Sequence, residues 1–269
     1  LRLSGSKTLA RPDFREVTEF KYTLMESTST VKGNTNLSQS DIYNADFRYE
    51  WYPSDDELIA VSAFYKYMIK PIEILELVAS SGGTLYTYKN AEYAHNAGVE
   101  LEMRKDFGFI ADGLEALSLS VNLAYIYSII EVEDSPTATY ASDERPLQGQ
   151  SPYVVNANLD YDNDDIGLSG TLLFNVSGPY ISSVATYGGS TNDALNDDTY
   201  SQPVPMLDFV IKQELGEHHE IKLKIKNILD PVIKITQNRN RAGTDQYQEI
   251  VLEEYKKGRA LSLSYAYSF

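Results

Sequence analysis

LSLSVNLAYIYSI, residues 117–129, decides the fold. Leu117, Leu119, Val121, Leu123, Tyr125, Tyr127 and Ile129 fall on one parity. Ser118, Ser120, Asn122, Ala124 and Ser128 fall on the other, with Ile126 the exception. Successive side chains of a strand point to opposite faces, so this period of two describes a β-strand with one apolar and one polar face. The pattern returns at residues 153–162, where Tyr153, Val155, Ala157, Leu159 and Tyr161 oppose Asn156, Asn158, Asp160 and Asp162. It closes the chain, with Leu261, Leu263, Tyr265, Tyr267 and Phe269 against Ser262, Ser264, Ala266 and Ser268. In residues 221–226, Ile221, Leu223 and Ile225 oppose Lys222, Lys224 and Lys226.

Working outward gives ten strands, at 1–9, 41–52, 57–70, 94–107, 115–130, 152–163, 165–177, 204–216, 219–235 and 247–269. Many exceed the roughly five to six residues usual in globular sheets and suit the roughly 9–11 residues of a tilted bilayer-crossing strand. The connections alternate in length. Short ones are Pro53-Ser54-Asp55-Asp56, the Gly108–Leu114 bend, the turn near Asp164 and Gly216-Glu217-His218; long ones cover 10–40, 71–93, 131–151, 178–203 and 236–246. Tight turns on one side and long loops on the other are the habit of an antiparallel transmembrane β-barrel, periplasmic turns below and extracellular loops above. A soluble β-sandwich, adhesin-like, also has two-faced strands, but its Greek-key connections impose no such parity.

Composition agrees. The 39 acidic against 23 basic side chains give a net charge of −16, which argues against a nucleic-acid partner. The absence of cysteine excludes disulfides and thiolate-held metals. No run approaches the roughly 18 apolar residues of a membrane helix, whereas barrel strands hide their hydrophobicity in alternation. The 21 Tyr, 9 Phe and 1 Trp are unusual in number. Tyr49 with Trp51, Tyr65 with Tyr67, Tyr125 with Tyr127, and Tyr265, Tyr267 and Phe269 share the apolar parity near strand ends. Such rings suit a girdle at the headgroup level, with the hydroxyl in water. Leu1 opens inside a strand with no signal peptide before it, so the chain, one portion of a barrel domain over 1–269, is expected to be a piece of a longer polypeptide.

Several segments resemble the C-terminal barrel half of TonB-dependent outer-membrane receptors. They are LRLSGSKTLARPDFREVTEF (1–20, with Arg11, Pro12, Phe14 and Glu16), GNTNL (33–37), ADFRYEWYP (45–53), VSAFYKYMIKPIE (61–73), IKLKIKNILDPV (221–232) and GRALSLSYAYSF (258–269). They occur in the family's order along the whole chain. Departures are Thr35 where the family carries Pro, and Ser38-Gln39-Ser40 where it carries Pro-Glu. RPDFRE and FYK most resemble the variant found in Bacteroidota and some proteobacteria. The resemblance implies an all-β barrel of about 22 strands around an N-terminal plug, of which these ten would be the last. It also implies TonB-energised uptake of a nutrient such as a siderophore, cobalamin, glycan or peptide, with contacts to outer-membrane lipid and, through the plug, to TonB. Phe269 resembles the C-terminal aromatic signal read by the barrel-assembly machinery. A passive porin or a secretion-associated barrel is the alternative within the same architecture.

No catalytic constellation appears: His218 and His219 sit in a tight turn and His95 at the start of a strand, no cysteine lies near any of them, and Gly-x-Ser-x-Gly is absent. The chain therefore reads as a non-enzyme needing no cofactor. The acidic runs Asp162–Asp165 and Asn192–Asp198 carry hard oxygen donors; the second, in an outer loop, suits calcium, though without EF-hand spacing. Inward parities hold Asp46, Arg48 and Glu50; Lys66 and Lys70; Glu100, Glu102 and Arg104; Lys212 and Glu214; and Lys222, Lys224 and Lys226. They read either as a solvated lumen wall or as partners of a plug; Phe64, Met68 and Val210 among them suit packing against a plug. Ligand contacts are expected from the outer loops, at Tyr140, Arg145, Tyr187, Arg239 and Arg241, where rings stack and guanidinium forks hold anions.

Overall fold

A strand of 12 residues such as Ser40–Trp51 is roughly 40 Å long, and at a tilt of about 45° it covers roughly 28 Å of height, the thickness of a hydrocarbon layer. Strands of that length build most of one sheet in this protein. The computed structural model describes residues 1–23, 30–78, 84–132, 139–140, 144–187, 196–240 and 247–269. In chain order the strands begin β1 (Arg2–Ala10), β2 (Lys21–Thr23), β3 (Thr30–Lys32), β4 (Ser40–Trp51) and β5 (Leu58–Ile69). Next come β6 (Ile72–Val78), β7 (Thr84–Asn90), β8 (Tyr93–Asp106), β9 (Leu117–Glu131) and β10 (Thr139–Tyr140). Then follow β11 (Glu144–Arg145), β12 (Tyr153–Asn163), β13 (Leu168–Ser177), β14 (Tyr180–Tyr187) and β15 (Asn196–Ser201). The last are β16 (Met206–Leu215), β17 (His219–Lys226), β18 (Ile233–Asn240), β19 (Tyr247–Tyr255) and β20 (Ala260–Tyr267).

Ten of these make the wall, in the order β1-β4-β5-β8-β9-β12-β13-β16-β17-β20, with β11 added beside the outer end of β9. Every neighbouring pair is antiparallel, and the sheet is an up-and-down meander. Its register is unbroken, so one parity runs around the whole wall. Val61, Leu101, Leu123 and Val155 are cross-strand neighbours on the outward face. Glu50, Ala60, Glu102, Asn122, Asn156 and Asn175 form the matching inward row. Leu101, Leu123, Val61 and Val99 are among many large apolar residues left exposed outward, which suits lipid and not water. β1 and β20 are the two edges, each with one neighbour among the described strands.

The short turns all lie at one end. At the β12–β13 turn the Asn163 side chain accepts the Ile166 N–H, and Gly167, at φ 61°, ends the turn in the left-handed region that glycine enters without strain. The long connections lie at the other end and are not plain loops. They contain β2, β3, β6, β7, β14, β15, β18 and β19, which join as a second sheet in the order β19-β18-β15-β14-β6-β7-β3-β2, with β10 beside β14.

Two of the expected strand boundaries change. The strand expected over 219–235 stops at Lys226 and restarts at Ile233. Asn227 and Asp230 take positive φ values of 57° and 45°, and Pro231 brings no N–H. The strand expected over 247–269 is divided likewise, at Gly258 (φ 79°). The two breaks are stapled together. Asn227 Nδ2 donates to the Gly258 carbonyl at 2.6 Å, and the Gly258 N–H donates to Asp230 Oδ1 at 3.0 Å. This staple joins the end of β17 to the start of β20 through Asn227 and Asp230 of the IKLKIKNILDPV segment.

A small apolar core sits where the two sheets meet. Leu75, Ala91, Ala94, Ile130, Val132, Ile181 and Val184 are buried there, with Met68, Leu147 and Tyr200 against them. Among the described residues no helix is long and apolar enough to cross a membrane.

Candidate functional site

The outer sheet is a tie between connections that are far apart in sequence. β6 and β14 meet in a parallel pairing of two residues only, Val184 with Leu75 and Ala185 with Glu76. So short a seam needs side chains to hold it, and the connection between β9 and β12 supplies them. Arg145 Nη1 and Nη2 donate to Glu73 Oε1 and Oε2 at 3.0 and 2.6 Å, a two-pronged pair whose side chains are 4% and 5% exposed. Gln148 bridges the seam: its Oε1 accepts the Ile74 N–H at 3.2 Å and its Nε2 donates to the Ser182 carbonyl at 3.1 Å.

Asp198, on β15, completes the knot. It is buried, and its Oδ1 accepts the Ala185 N–H at 2.9 Å. Burial pushes its carboxyl up to about 6; the Ala185 N–H and the Arg145 guanidinium pull the other way, and Asp197 and Glu73 add to the rise. Tyr200 is pushed up to about 12, first by burial and then by Asp198 and Asp197. Asp197 extends the tie to β18, its carbonyl accepting from Gln237 Nε2 at 2.9 Å. On the far side of the sheet Tyr22 and Tyr88 share a hydroxyl–hydroxyl contact of 3.1 Å, and burial raises the Tyr88 hydroxyl.

The lumen face of the wall is charged unevenly. From β1 to β8 the charges answer one another: Arg48 reaches Glu102 at 2.7 Å and Glu50 at 2.8 Å, Arg2 reaches Glu50 at 3.3 Å, and Arg104 reaches Glu102 at 3.6 Å. Beside them Glu102, Arg104, Asn122, Asn156 and Asn158 line a shallow hollow. The Phe64 ring lies against Gly98, where a Cβ would meet it at 2.6 Å, so an inward aromatic occupies the space a side chain would need. On β16 and β17 the inward charges are mostly lysines, Lys212, Lys222, Lys224 and Lys226.

The residues expected to contact a ligand fall in different settings. Arg145 is buried, with its fork on Glu73. The backbones of Tyr140 and Tyr187 belong to the short β10–β14 pairing. The backbone of Arg239 lies within β18, opposite Asn196 and Gln248. Arg241 lies outside the described residues, as do residues 192–195 of the acidic run considered for calcium; Asp197 and Asp198 of that run serve the tie just described. Trp51, Tyr65, Tyr125, Tyr127, Tyr265, Tyr267 and Phe269 are exposed on the described surface, and Tyr67 is partly so. Tyr65 meets His95 Nδ1 at 2.7 Å, and Tyr265 meets His219 Nδ1 at 2.7 Å. Sequence reasoning passed over Glu73 and read Asp198 only as part of the acidic run considered for calcium. Glu73 did carry a signal: it shares a buried parity with Leu75, where a lone carboxylate needs a partner.

Residues 1–228 match the family described as TonB dependent receptor-like, beta-barrel. No curated protein matches. Among solved structures, the chain is similar to a ferric enterobactin receptor from Pseudomonas aeruginosa (17% identity, TM-score 0.57), covering 99% of this chain and 38% of that one. It is similar to a siderophore receptor, PirA, from Acinetobacter baumannii (14% identity, TM-score 0.58), covering 99% and 39%. It is also similar to the copper transporter OprC (15% identity, TM-score 0.60), covering 99% and 37%. At these identities the likeness is one of fold. The chain spans about two fifths of the length of these solved relatives, 38% of the first.

Proposed function

Because the chain belongs to the TonB-dependent receptor β-barrel family, we propose that it is part of the wall of an outer-membrane receptor that takes up a nutrient in an energy-coupled step. The observation that carries this is the meander itself, ten wall strands with every short turn at one end and an outward face of exposed apolar residues. In lipid the unpaired N–H and C=O groups of β1 and β20 find no water, so the wall functions with further strands against both edges. We assign those strands, and a plug that TonB rearranges, to the same receptor.

Ligand capture belongs to the outer sheet, with Tyr140, Tyr187, Arg239 and Arg241 as contacts and Arg145 behind them holding the seam. The ligand class is a small nutrient; the solved relatives named for siderophores and copper make a metal chelate the first to test, ahead of cobalamin, glycans and peptides. Trp51, Tyr65, Tyr67, Tyr125, Tyr127, Tyr265 and Tyr267 form the aromatic girdle, and Phe269 is read by the assembly machinery. The barrel does no covalent chemistry. A deletion strain carrying the full-length gene is grown on each candidate nutrient, with and without TonB. The account expects growth that needs both; uptake that persists without TonB means a passive channel and overturns it.

A further inference from the structure

We infer that the outer sheet parts along the β6–β14 seam into two leaves, and that residues 145–151 are the latch that holds the leaves shut over the lumen. The inference rests on the receptor reading above and deepens it by naming the parts that move. One leaf is β2, β3, β6 and β7; the other is β14, β15, β18 and β19. Inside a leaf the ladders are long: Ile72–Val78 pairs with Thr84–Asn90 throughout, and Ile233–Asn240 pairs with Tyr247–Tyr255. Between the leaves the described pairing is Val184 with Leu75 and Ala185 with Glu76. β3 and β7 also meet briefly, but polar groups at the end of β3 clamp that line. Asn34 Nδ2 donates to the Tyr88 carbonyl at 2.9 Å, and the Ser38 N–H donates to Asn90 Oδ1 at 2.8 Å. The β6–β14 line takes side-chain ties from a third segment.

That segment, which leads from β11 to β12, holds both leaves and the wall at once. On the first leaf are the Arg145 fork to Glu73 and the Gln148 Oε1 that accepts the Ile74 N–H. On the second leaf, Gln148 Nε2 donates to the Ser182 carbonyl and the Gly149 N–H donates to the Ile181 carbonyl at 2.9 Å. On the wall, the Leu147 N–H donates to Ser128 Oγ and Asn96 Nδ2 donates to Gln150 Oε1, each at 3.2 Å. The leaves themselves are jointed to the wall. Pro71 precedes β6, Pro179 precedes β14, Pro203 and Pro205 follow β15, and Pro231 precedes β18. None brings an N–H, so no ladder runs straight through these joints. Lys70, just before Pro71, takes a φ of 56°, a conformation costly for a side chain that is not glycine. Met68, Ala94 and Ile130 are cross-strand neighbours on the inward parity of the wall, and they pack with Leu75, Ile181 and Val184 of the leaves. The leaves thus lie over the inward face, and the line between them is a way from outside to the lumen.

The test uses the full-length receptor in membranes, with single cysteines labelled by a small water-soluble thiol reagent and located by peptide mapping. Leu75→Cys and Val184→Cys stand on the two sides of the seam; Val31→Cys and Thr236→Cys stand inside one leaf each. All four positions are buried in the closed sheet, so labelling rates report opening. The two seam sites should label at a common rate, at least about tenfold faster than the two sites inside the leaves. Glu73→Gln, and Gln148→Ala without a change of charge, should each speed both seam sites by a common factor and leave Val31→Cys and Thr236→Cys unchanged. Three results overturn the inference while the barrel keeps its heat-modifiable gel mobility: seam sites as slow as the leaf sites, all four sites accelerated together by Glu73→Gln, or no acceleration at the seam in either variant. Loss of that mobility in the unmodified receptor overturns the barrel-wall reading instead.

Discussion

The wall and the outer sheet are made by the same chain in alternation, yet they follow different rules. Wall strands run to 15 residues, pair only antiparallel, and hold one register throughout. Outer strands are as short as 2 residues and include two parallel pairings. Their register shifts at Ile181/Ser183, Asn196/Thr199 and Ile235/Thr236. On the function proposed above, the difference is one of solvent. In hydrocarbon each unsatisfied backbone group costs several kcal/mol, so the ladder must be complete and regular. In water a bulge or a slipped pair is hydrated, and side chains such as Arg145, Gln148 and Asp198 take over the tying.

If that division is right, the largest effect comes from breaking the outer knot. Arg145→Ala leaves Glu73 as a lone buried charge and should cost about 3–5 kcal/mol of outer-sheet stability, read as lost amide protection across β6 and β14 with the wall still protected. Equal loss in both sheets would erase the distinction. Next is Leu101→Arg on the outward face in mid-wall, which should cost about 2–4 kcal/mol in a lipid-based unfolding titration. The same substitution on a water-facing strand would be near neutral, so a neutral result here counts against lipid at this face.

The pH effect is smaller and confined to the outer sheet. Asp198 has its carboxyl raised to about 6, above the ordinary value of 3.8. Its neutral form therefore stabilises the fold fully below about pH 4, and that contribution is lost as pH rises through about 6. Protection of the Ala185 amide, corrected for intrinsic exchange, should fall on the order of 2 kcal/mol between pH 4 and 7. Asp198→Asn should flatten the profile, and an unchanged profile in that variant assigns the pH dependence elsewhere. The smallest effect is Arg48→Ala in the lumen. Its side chain is 29% exposed, so losing the pairs with Glu50 and Glu102 should cost under about 1 kcal/mol in the same titration.

The wall was legible because its ladder is regular and its two faces differ in polarity. Leu117 to Ile129 alternate without a break in pairing, and the turns at Gly167 and Gly216 announce themselves. The division of 219–235 was also readable, since Pro231 inside a run argues against a continuous strand; the apolar residues on both sides masked it. The outer sheet was not legible. β15 reads Asn-Asp-Asp-Thr-Tyr-Ser, with no apolar alternation, and is a strand because β14 and β18 flank it. Arg145 looked like a ligand-facing cation because its partner Glu73 is 72 positions away. Loop arginines have the same local sequence whether they face solvent or a buried carboxylate.

The central claim is that odd-numbered residues of 119–123 face lipid and their neighbours face the lumen. The chain has no cysteine, so single cysteines can be placed at each position from Leu119 to Ala124 of the full-length protein and spin-labelled in membranes. The account predicts that labels at 119, 121 and 123 are accessible to dissolved oxygen and shielded from a water-soluble relaxant, with the opposite balance or mutual shielding at 120, 122 and 124. A flat profile, or water-soluble relaxant reaching 119, 121 and 123, would contradict it.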